Sequence, residues 1–384
     1  MINSSNDSDI RVQERNSGLA KLAKCIAEVG PQINLIARTT QQYKESVRYR
    51  YHKFVVDRGL TIQASPNYSK LGFRRLIILA KFANDFEVQA PVILSAMSEF
   101  CYLHSFTRTI LSHEYIIHVA VPGELSDRCA SLFRKLGEMG LFTGLKILEF
   151  QEMRNPPMKA EYYDFTTGNW SFAWPEVQSK TPALASAARQ EVEKYDKLDL
   201  LILKELEIDA NRTLVKISDN VKVNSKTLEF HFISHVQARG LIKSYKIGWP
   251  GSRYDFKLEK ALSKRHRYIE VAILLEHGTR TENAELMSLL NNTPFLWSEA
   301  VEPNYCAEVY IPVNTYIEFL EYIGDFAARV GDKLKVFEMD QTRALRFTIG
   351  HKLFDSESKT WQLDSEDIVR KFENLKLSIK SGAI

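Results

Sequence analysis

Two stretches of the chain gather short polar and cationic side chains within about two helical turns. In the first, Lys44, Ser46, Arg48 and Arg50 fall close together, with Lys53 following. In the second, Ser225, Lys226, Thr227 and His231 do the same. Such sets can reach base edges and phosphates from a helix lying in the major groove of double-stranded DNA. The chemistry of the two sets differs. The first is arginine-rich and suits guanine and phosphate. The second has fewer cations and carries Glu229 where the first has Arg48. His231 and His235 stand at an i, i+4 spacing that can hold a metal on a helix. No carboxylate or cysteine joins them at suitable sequence spacing, so neither a metal nor a cofactor is expected.

Local charge agrees with an anionic partner. The whole chain of 384 residues has a formal charge of only +3. Residues 11–70 hold 11 Lys and Arg against 4 Asp and Glu, and residues 197–260 hold 12 against 8. Nucleic-acid binding depends on such local fields rather than on net charge. The chain has no Gly-rich phosphate loop, no HExxH and no GxSxG. It therefore reads as a non-enzyme. No apolar run approaches the roughly 18 residues of a membrane span, and residues 1–9 have no secretory core. The cysteines, Cys25, Cys101, Cys129 and Cys306, show no CxxC spacing and read as buried thiols of a cytoplasmic, nucleoid-associated protein.

The elements that must position these residues are written twice, 181 residues apart. Ser46-Val47-Arg48-Tyr49-Arg50-Tyr51, then Val55 and Arg58-Gly59-Leu60, answers Thr227-Leu228-Glu229-Phe230-His231-Phe232, then Val236 and Arg239-Gly240-Leu241. The apolar positions coincide and the residues between them differ, as expected of one packing unit used twice. Upstream, Leu19, Leu22 and Cys25 match Leu200, Leu203 and Leu206 on one helical face. Ile33 and Ile36 match Leu214 and Ile217 in a second short helix. The third helix should run from about Gln42 to Arg58 and from about Ser225 to Arg239, with Ser225 as N-cap and Gly59 and Gly240 as left-handed stops. A short β run follows each. Three helices and a wing describe a winged helix-turn-helix.

A β-α-β-β-α-β pattern follows each unit. In the first copy it comprises strand 73–82, helix 90–100, strands 101–110 and 114–121, helix 124–139 and strand 145–153. In the second it comprises strand 268–276, helix 282–290, strands 295–301 and 305–311, helix 315–330 and strand 333–339. Val119-Ala120-Val121-Pro122 answers Val309-Tyr310-Ile311-Pro312. This is the ferredoxin-like order. Each copy closes with a Trp-bearing extension, at Tyr163-Asp164 with Trp170 and at Phe354-Asp355 with Trp361. The predicted fold is α+β: two winged helix-turn-helix domains (13–68 and 197–256) and two ferredoxin-like domains with C-terminal extensions (70–174 and 264–373), joined by a linker at 175–196. Residues 183–195 could be helical, while residues 1–12 and the tail near 381 should be loose. Each ferredoxin-like sheet has helices on one face only, so its other face must be covered. The sister domain and then a second chain are the expected covers, giving an intramolecular pair that forms a homodimer.

Leu198-Asp199, Ile202, Leu203, Leu206 and Asp209-Ala210-Asn211-Arg212, continuing through Ile217, Ser225, Thr227 and Gly240-Leu241-Ile242 to Tyr245, resemble the opening of Lrp/AsnC (feast/famine) transcriptional regulators. The resemblance implies a helix-turn-helix followed by a ferredoxin-like assembly domain. It also implies sequence-specific DNA binding and a small-molecule effector, an amino acid or related metabolite. The leading expectation is a covalent, asymmetric counterpart of a regulator dimer. Two other readings share the domain plan: an architectural DNA-binding protein, and an enzyme similar to the siroheme decarboxylases. A His/Arg-rich heme-handling stretch of the kind those enzymes carry is not found.

Overall fold

In the computed structural model, the described residues are 4–57, 61–156, 159–164, 169–170, 191–248, 268–293 and 297–380. The first copy opens with α1 (Ser4–Val29), α2 (Ile33–Thr39) and α3 (Lys44–Tyr51), which continues as a π-helical segment over His52–Val56. The second opens with α7 (Lys197–Ile208), α8 (Leu214–Val221) and α9 (Ser225–His231), continuing as a π-helical segment over Phe232–Gln237. Most of the repeated apolar positions are buried: Leu22, Cys25, Ile36, Val47 and Val55 in one copy, and Leu203, Leu206, Ile217, Leu228 and Val236 in the other, while the matched Tyr49 and Phe230 are exposed.

Several local expectations change. The third helices widen into π turns rather than running as uniform α-helix. Asn224, not Ser225, caps α9, accepting from the Lys226 amide. The first helix begins at Ser4, so residues 4–12 are helical rather than loose. Residues 191–196 are non-helical, while the rest of the predicted linker helix, Gly59, the turn after residue 248 and the tail from 381 lie outside the described residues. Gly240 has the left-handed φ of 64° expected of a helix stop.

The wings are not independent hairpins. Each copy supplies one strand, β1 (Thr61–Pro66) and β8 (Ile242–Gly248), and these pair antiparallel with each other. Packing is crossed: α1 lies on β8 and α7 on β1. Gly30 meets this ribbon at φ 82°, and a Cβ there would stand 2.5 Å from the Tyr245 ring, so only glycine fits.

Eight long strands follow. In the first copy they are β2 (Phe73–Phe82), β3 (Leu103–Thr109), β4 (Tyr115–Pro122) and β5 (Phe142–Arg154). The helices among them are α4 (Asn84–Glu87), α5 (Ala90–Met97) and α6 (Ser126–Glu138). A short hairpin, β6 (Tyr163–Asp164) and β7 (Asn169–Trp170), ends the copy. The second copy has β9 (Tyr268–Leu275), α10 (Arg280–Asn292), β10 (Trp297–Pro303), β11 (Tyr305–Pro312), α11 (Tyr316–Val330) and β12 (Leu334–Arg346). The matching hairpin, β13 (Phe354–Asp355) and β14 (Thr360–Trp361), precedes α12 (Ser365–Lys380).

The strand orders are β5-β2-β4-β3 and β12-β9-β11-β10, the same fourth-first-third-second arrangement in each copy. The copies do not stay separate sheets as expected. Edge strand β3 pairs with β12, and β5 pairs with β10, so the eight strands close into one barrel. Closure removes the edges of the eight-stranded sheet, and burial on both faces accounts for the apolar runs of β2, β4, β9 and β11. On β2, Leu76, Ile78 and Ala80 pack under the helices. Ile77 and Leu79 point inward to meet Ala272, Leu274 and Cys306 of the other copy. On α11, Phe319, Ile323, Phe326 and Val330 form the buried stripe. The sister domain is thus the cover that each sheet face needed. All four cysteines are buried free thiols. Among the described residues no helix is long and apolar enough to cross a membrane.

Candidate functional site

The β1–β8 ribbon lies over one end of the barrel, and the gap between them is lined by charge. Ser65 and the following turn residues Asn67 and Tyr68 come from the ribbon's first strand, and Lys243 and Lys246 from its second. Arg75 enters from the start of β2, His104 from β3, Met153 from β5 and Arg346 from the end of β12. Among the described residues, no acidic side chain lines this cavity. Arg75 is only 5% exposed, His104 6% and Lys246 8%.

Arg75 is the unusual member. Its guanidinium stacks over the Tyr68 ring, 3.9 Å from the centroid. Its Nε and Nη1 are buried without a hydrogen-bond partner among the described residues, as is Oγ of Ser65 in the same lining. Burial works against the Arg75 charge, yet a guanidinium stays protonated in proteins. Such a group is costly unless an anion meets it. Behind it, Tyr68 Oη donates to Glu207 Oε1 at 3.1 Å and lies 3.3 Å from Nδ1 of His104. Glu207 also accepts from the Ile349 amide at 2.7 Å. Burial raises the Glu207 carboxyl above its ordinary range. Burial, helped by Arg75 and Arg346, holds His104 well below its ordinary value, so its imidazole is neutral near pH 7. Burial likewise raises the Tyr68 phenol. The enclosed space is about 20 Å³, enough for a water or the oxygens of one carboxylate.

None of these residues was singled out from the sequence. Arg75 did leave a faint signal, as a charge in the same alternate register as Ile77 and Leu79 on a strand, Phe73–Phe82, whose other charges are Arg74 and Lys81. The others come from five separate segments and share no local spacing.

The sequence-predicted DNA-facing residues fare unevenly. Lys44, Ser46, Arg48, Arg50 and Lys53 are exposed, as are Ser225, Lys226 and Thr227. Arg48 is held by Glu45 at 2.7 Å, Lys53 by Asp57 at 3.0 Å, and Arg50 donates to Gln42 at 3.2 Å. His231 is a correction. It turns inward, with Nδ1 2.9 Å from Oδ1 of the buried Asp199, which the capping box at the start of α7 holds in place. The expectation that no carboxylate joins His231 and His235 is also corrected, since Asp199 at the start of α7 meets both imidazoles and Asp196 approaches that of His231.

The architecture is that of two helix-turn-helix and ferredoxin-like units fused in one chain and closed as an intramolecular pair. No protein-family model matches the sequence, and no curated protein matches it. Among solved structures, siroheme decarboxylase NirDL is similar over 92% of this chain and 98% of its own, at 12% identity and a TM-score of 0.52. The same enzyme in complex with an iron-uroporphyrin III analogue gives 10% identity and a TM-score of 0.49, over 92% and 93% of the chains. An AsnC-family transcriptional regulatory protein from Pyrococcus furiosus matches 40% of this chain and 92% of its own, at 12% identity and a TM-score of 0.24. The fold along nearly the full length is therefore one that an enzyme uses. The expectation of a non-enzyme, which rested on missing motifs, is overturned by that finding.

Proposed function

We propose that this chain is an enzyme acting on a polycarboxylate tetrapyrrole, in the manner of a siroheme decarboxylase, with the barrel-end cavity receiving one carboxylate arm. The observation that carries this reading is Arg75: a buried guanidinium whose Nε and Nη1 lack partners among the described residues, in a cavity lined by further cations. A carboxylate in the cavity would accept a charge-assisted hydrogen bond from one of these donors and neutralise the guanidinium. The full-length fold similarity to NirDL supports the same direction. The cavity admits an arm and not a macrocycle, so the body of such a ligand belongs at the mouth.

Loss of CO2 from a carboxymethyl arm breaks a C–C bond and leaves the electron pair on the arm's carbon. A conjugated macrocycle can delocalise that pair until a proton arrives. Tyr68, hydrogen-bonded beside the neutral His104 and to Glu207, whose carboxyl burial raises, is placed to hold that proton. Arg75 binds and orients the carboxylate end.

Anaerobic titration with siroheme, followed by absorption spectroscopy and mass analysis of the macrocycle, tests the proposal. A saturable spectral change and products lighter by whole carbon dioxide units are expected. No spectral change at about tens of micromolar siroheme overturns it.

A second reading keeps one specific observation, the exposed Lys44, Ser46, Arg48 and Arg50 on α3. It assigns the helix-turn-helix units to DNA. Gel-shift titration at fixed salt is its measurement. Replacing Arg48 and Arg50 with Ala should then weaken binding more than replacing Lys226 does. Equal losses, or no shift at all, remove that reading.

A further inference from the structure

Asp196, Asp199, His231 and His235 come from two helices and converge on one point. Asp196 caps α7, with Oδ1 accepting from the amides of Leu198 and Asp199 at 2.9 and 3.1 Å. Asp199 closes the box, its Oδ2 accepting from the Asp196 amide at 3.0 Å. The box fixes both carboxylates at the helix start, and Asp199 is fully buried. From the other side, His231 ends α9 and His235 lies in the π-helical segment after it. Both present Nδ1. His231 Nδ1 is 2.9 Å from Asp199 Oδ1 and 3.6 Å from Asp196 Oδ2. His235 Nδ1 is 3.1 Å from each Asp199 oxygen. One donor atom from each of the four residues lies within 4.8 Å of the others.

We propose that these four side chains form a closed site for a divalent transition-metal ion, best matched to Zn²⁺. An ion bound tetrahedrally with bonds near 2.0–2.1 Å keeps its donors about 3.3 Å apart, and the separations above bracket that value. Two imidazoles exclude the all-oxygen shells that Mg²⁺ and Ca²⁺ prefer. Four protein donors leave no open position, so the ion clips α7 to α9 and does no chemistry.

The first copy shows that the cluster is not a packing requirement of the fold. At the 181-residue offset, Gly18, Arg50 and Phe54 stand where Asp199, His231 and His235 stand in the second copy. A Cβ on Gly18 would lie 3.8 Å from Arg50 Nη1. That copy places a guanidinium beside the first helix, where its sister gathers lone pairs.

The test uses the full chain, stripped with chelator, desalted and titrated with Co²⁺. One ion per chain with the strong visible bands of tetrahedral cobalt, displaced by Zn²⁺, is expected. Asp199→Asn and His235→Gln should each weaken binding by about 100-fold. Zn²⁺ should raise the Tm of the unaltered chain and not of these variants. X-ray absorption on the zinc-loaded, unaltered chain guards against variants that fail to fold; it should report two imidazole and two oxygen ligands. Absent stoichiometric binding, a sulfur ligand, or cobalt bands unmoved in a folded His235→Gln variant overturns the site. None of these readouts involves a tetrapyrrole, so the outcome is separate from the proposed function.

Discussion

The two copies keep the same inner faces and place opposite chemistry at equivalent points. On β4 and β11, His118 and Glu308 occupy the same position, one residue before the matched Val119 and Val309. They meet inside the barrel at 2.7 Å, side chains 6% and 4% exposed. In a symmetric pair this contact would be histidine against histidine or glutamate against glutamate. At the starts of β2 and β9, Phe73 pairs with Pro122 and Tyr268 with Pro312, which makes Arg75 the counterpart of Glu270. Arg75 faces the cavity with two nitrogens that have no hydrogen-bond partner among the described residues, while Glu270 is buried and accepts from Tyr310 Oη at 2.8 Å. Fusion has allowed each half to specialise, which a homodimer cannot do, because any change there appears on both sides.

The sharpest way to break this comparison is to restore the symmetry. His118→Glu puts two carboxylates at the centre of the barrel and should destabilise the chain by about 3–5 kcal/mol, read by urea denaturation. The exchanged double variant, His118→Glu with Glu308→His, should recover most of that loss because the unlike pair is remade. If the double variant is no better than the single, the pair is not what the two copies are specialised around.

Next in size is the ligand. Arg75→Met removes a charge-assisted hydrogen bond to a carboxylate and should raise the Kd for siroheme by about two orders of magnitude. Glu270→Gln changes the equivalent position in the other copy and should leave that Kd within about threefold, since a neutral amide there alters neither cavity charge nor shape. Comparable losses in both variants would mean that the two barrel ends are not functionally distinct.

Much of the architecture was legible because it is periodic. The spacing of Leu200, Leu203 and Leu206, the Val-Ala-Val-Pro echo and the strand order all follow from local pattern. Closure into a barrel was not legible. It depends on β3 finding β12 and β5 finding β10, far apart in sequence and carrying no motif. The same limit hid the chemistry. Asp199 lies inside the helical stretch that carried the Lrp/AsnC resemblance, but its partners are 32 and 36 residues further on. Tyr68, His104, Glu207 and Arg346 become neighbours only after the ribbon and barrel have formed. Conversely, the polar spacing that marked His231 as a groove-facing residue could not reveal the helix rotation that turns it inward.

The smallest effect separates the two copies by pH. His104, from the first copy, is held well below its ordinary value by burial. As pH falls below about 6.5, the unfolded chain takes up a proton there that the folded chain refuses. The unfolded state then binds more protons, so stability falls with falling pH until the folded-state pKa is reached. His351, from the second copy and also lowered by burial, acts in the same direction. Glu207 is raised instead, so its contribution is fully present below its unfolded pKa and is lost as pH rises through the higher folded value. It therefore opposes the histidines at the acid end. Each histidine contributes a slope of about 1.4 kcal/mol per pH unit within its own window. His104→Gln should flatten the stability profile between about pH 6.5 and 5.5 more than His351→Gln does, because His104 is the more deeply buried of the two. Denaturation midpoints across that range, with m-values checked for constancy, read the difference directly. An unchanged slope in His104→Gln would mean that the imidazole takes up its proton in the folded chain, which would leave Tyr68 beside a cation instead of a neutral base.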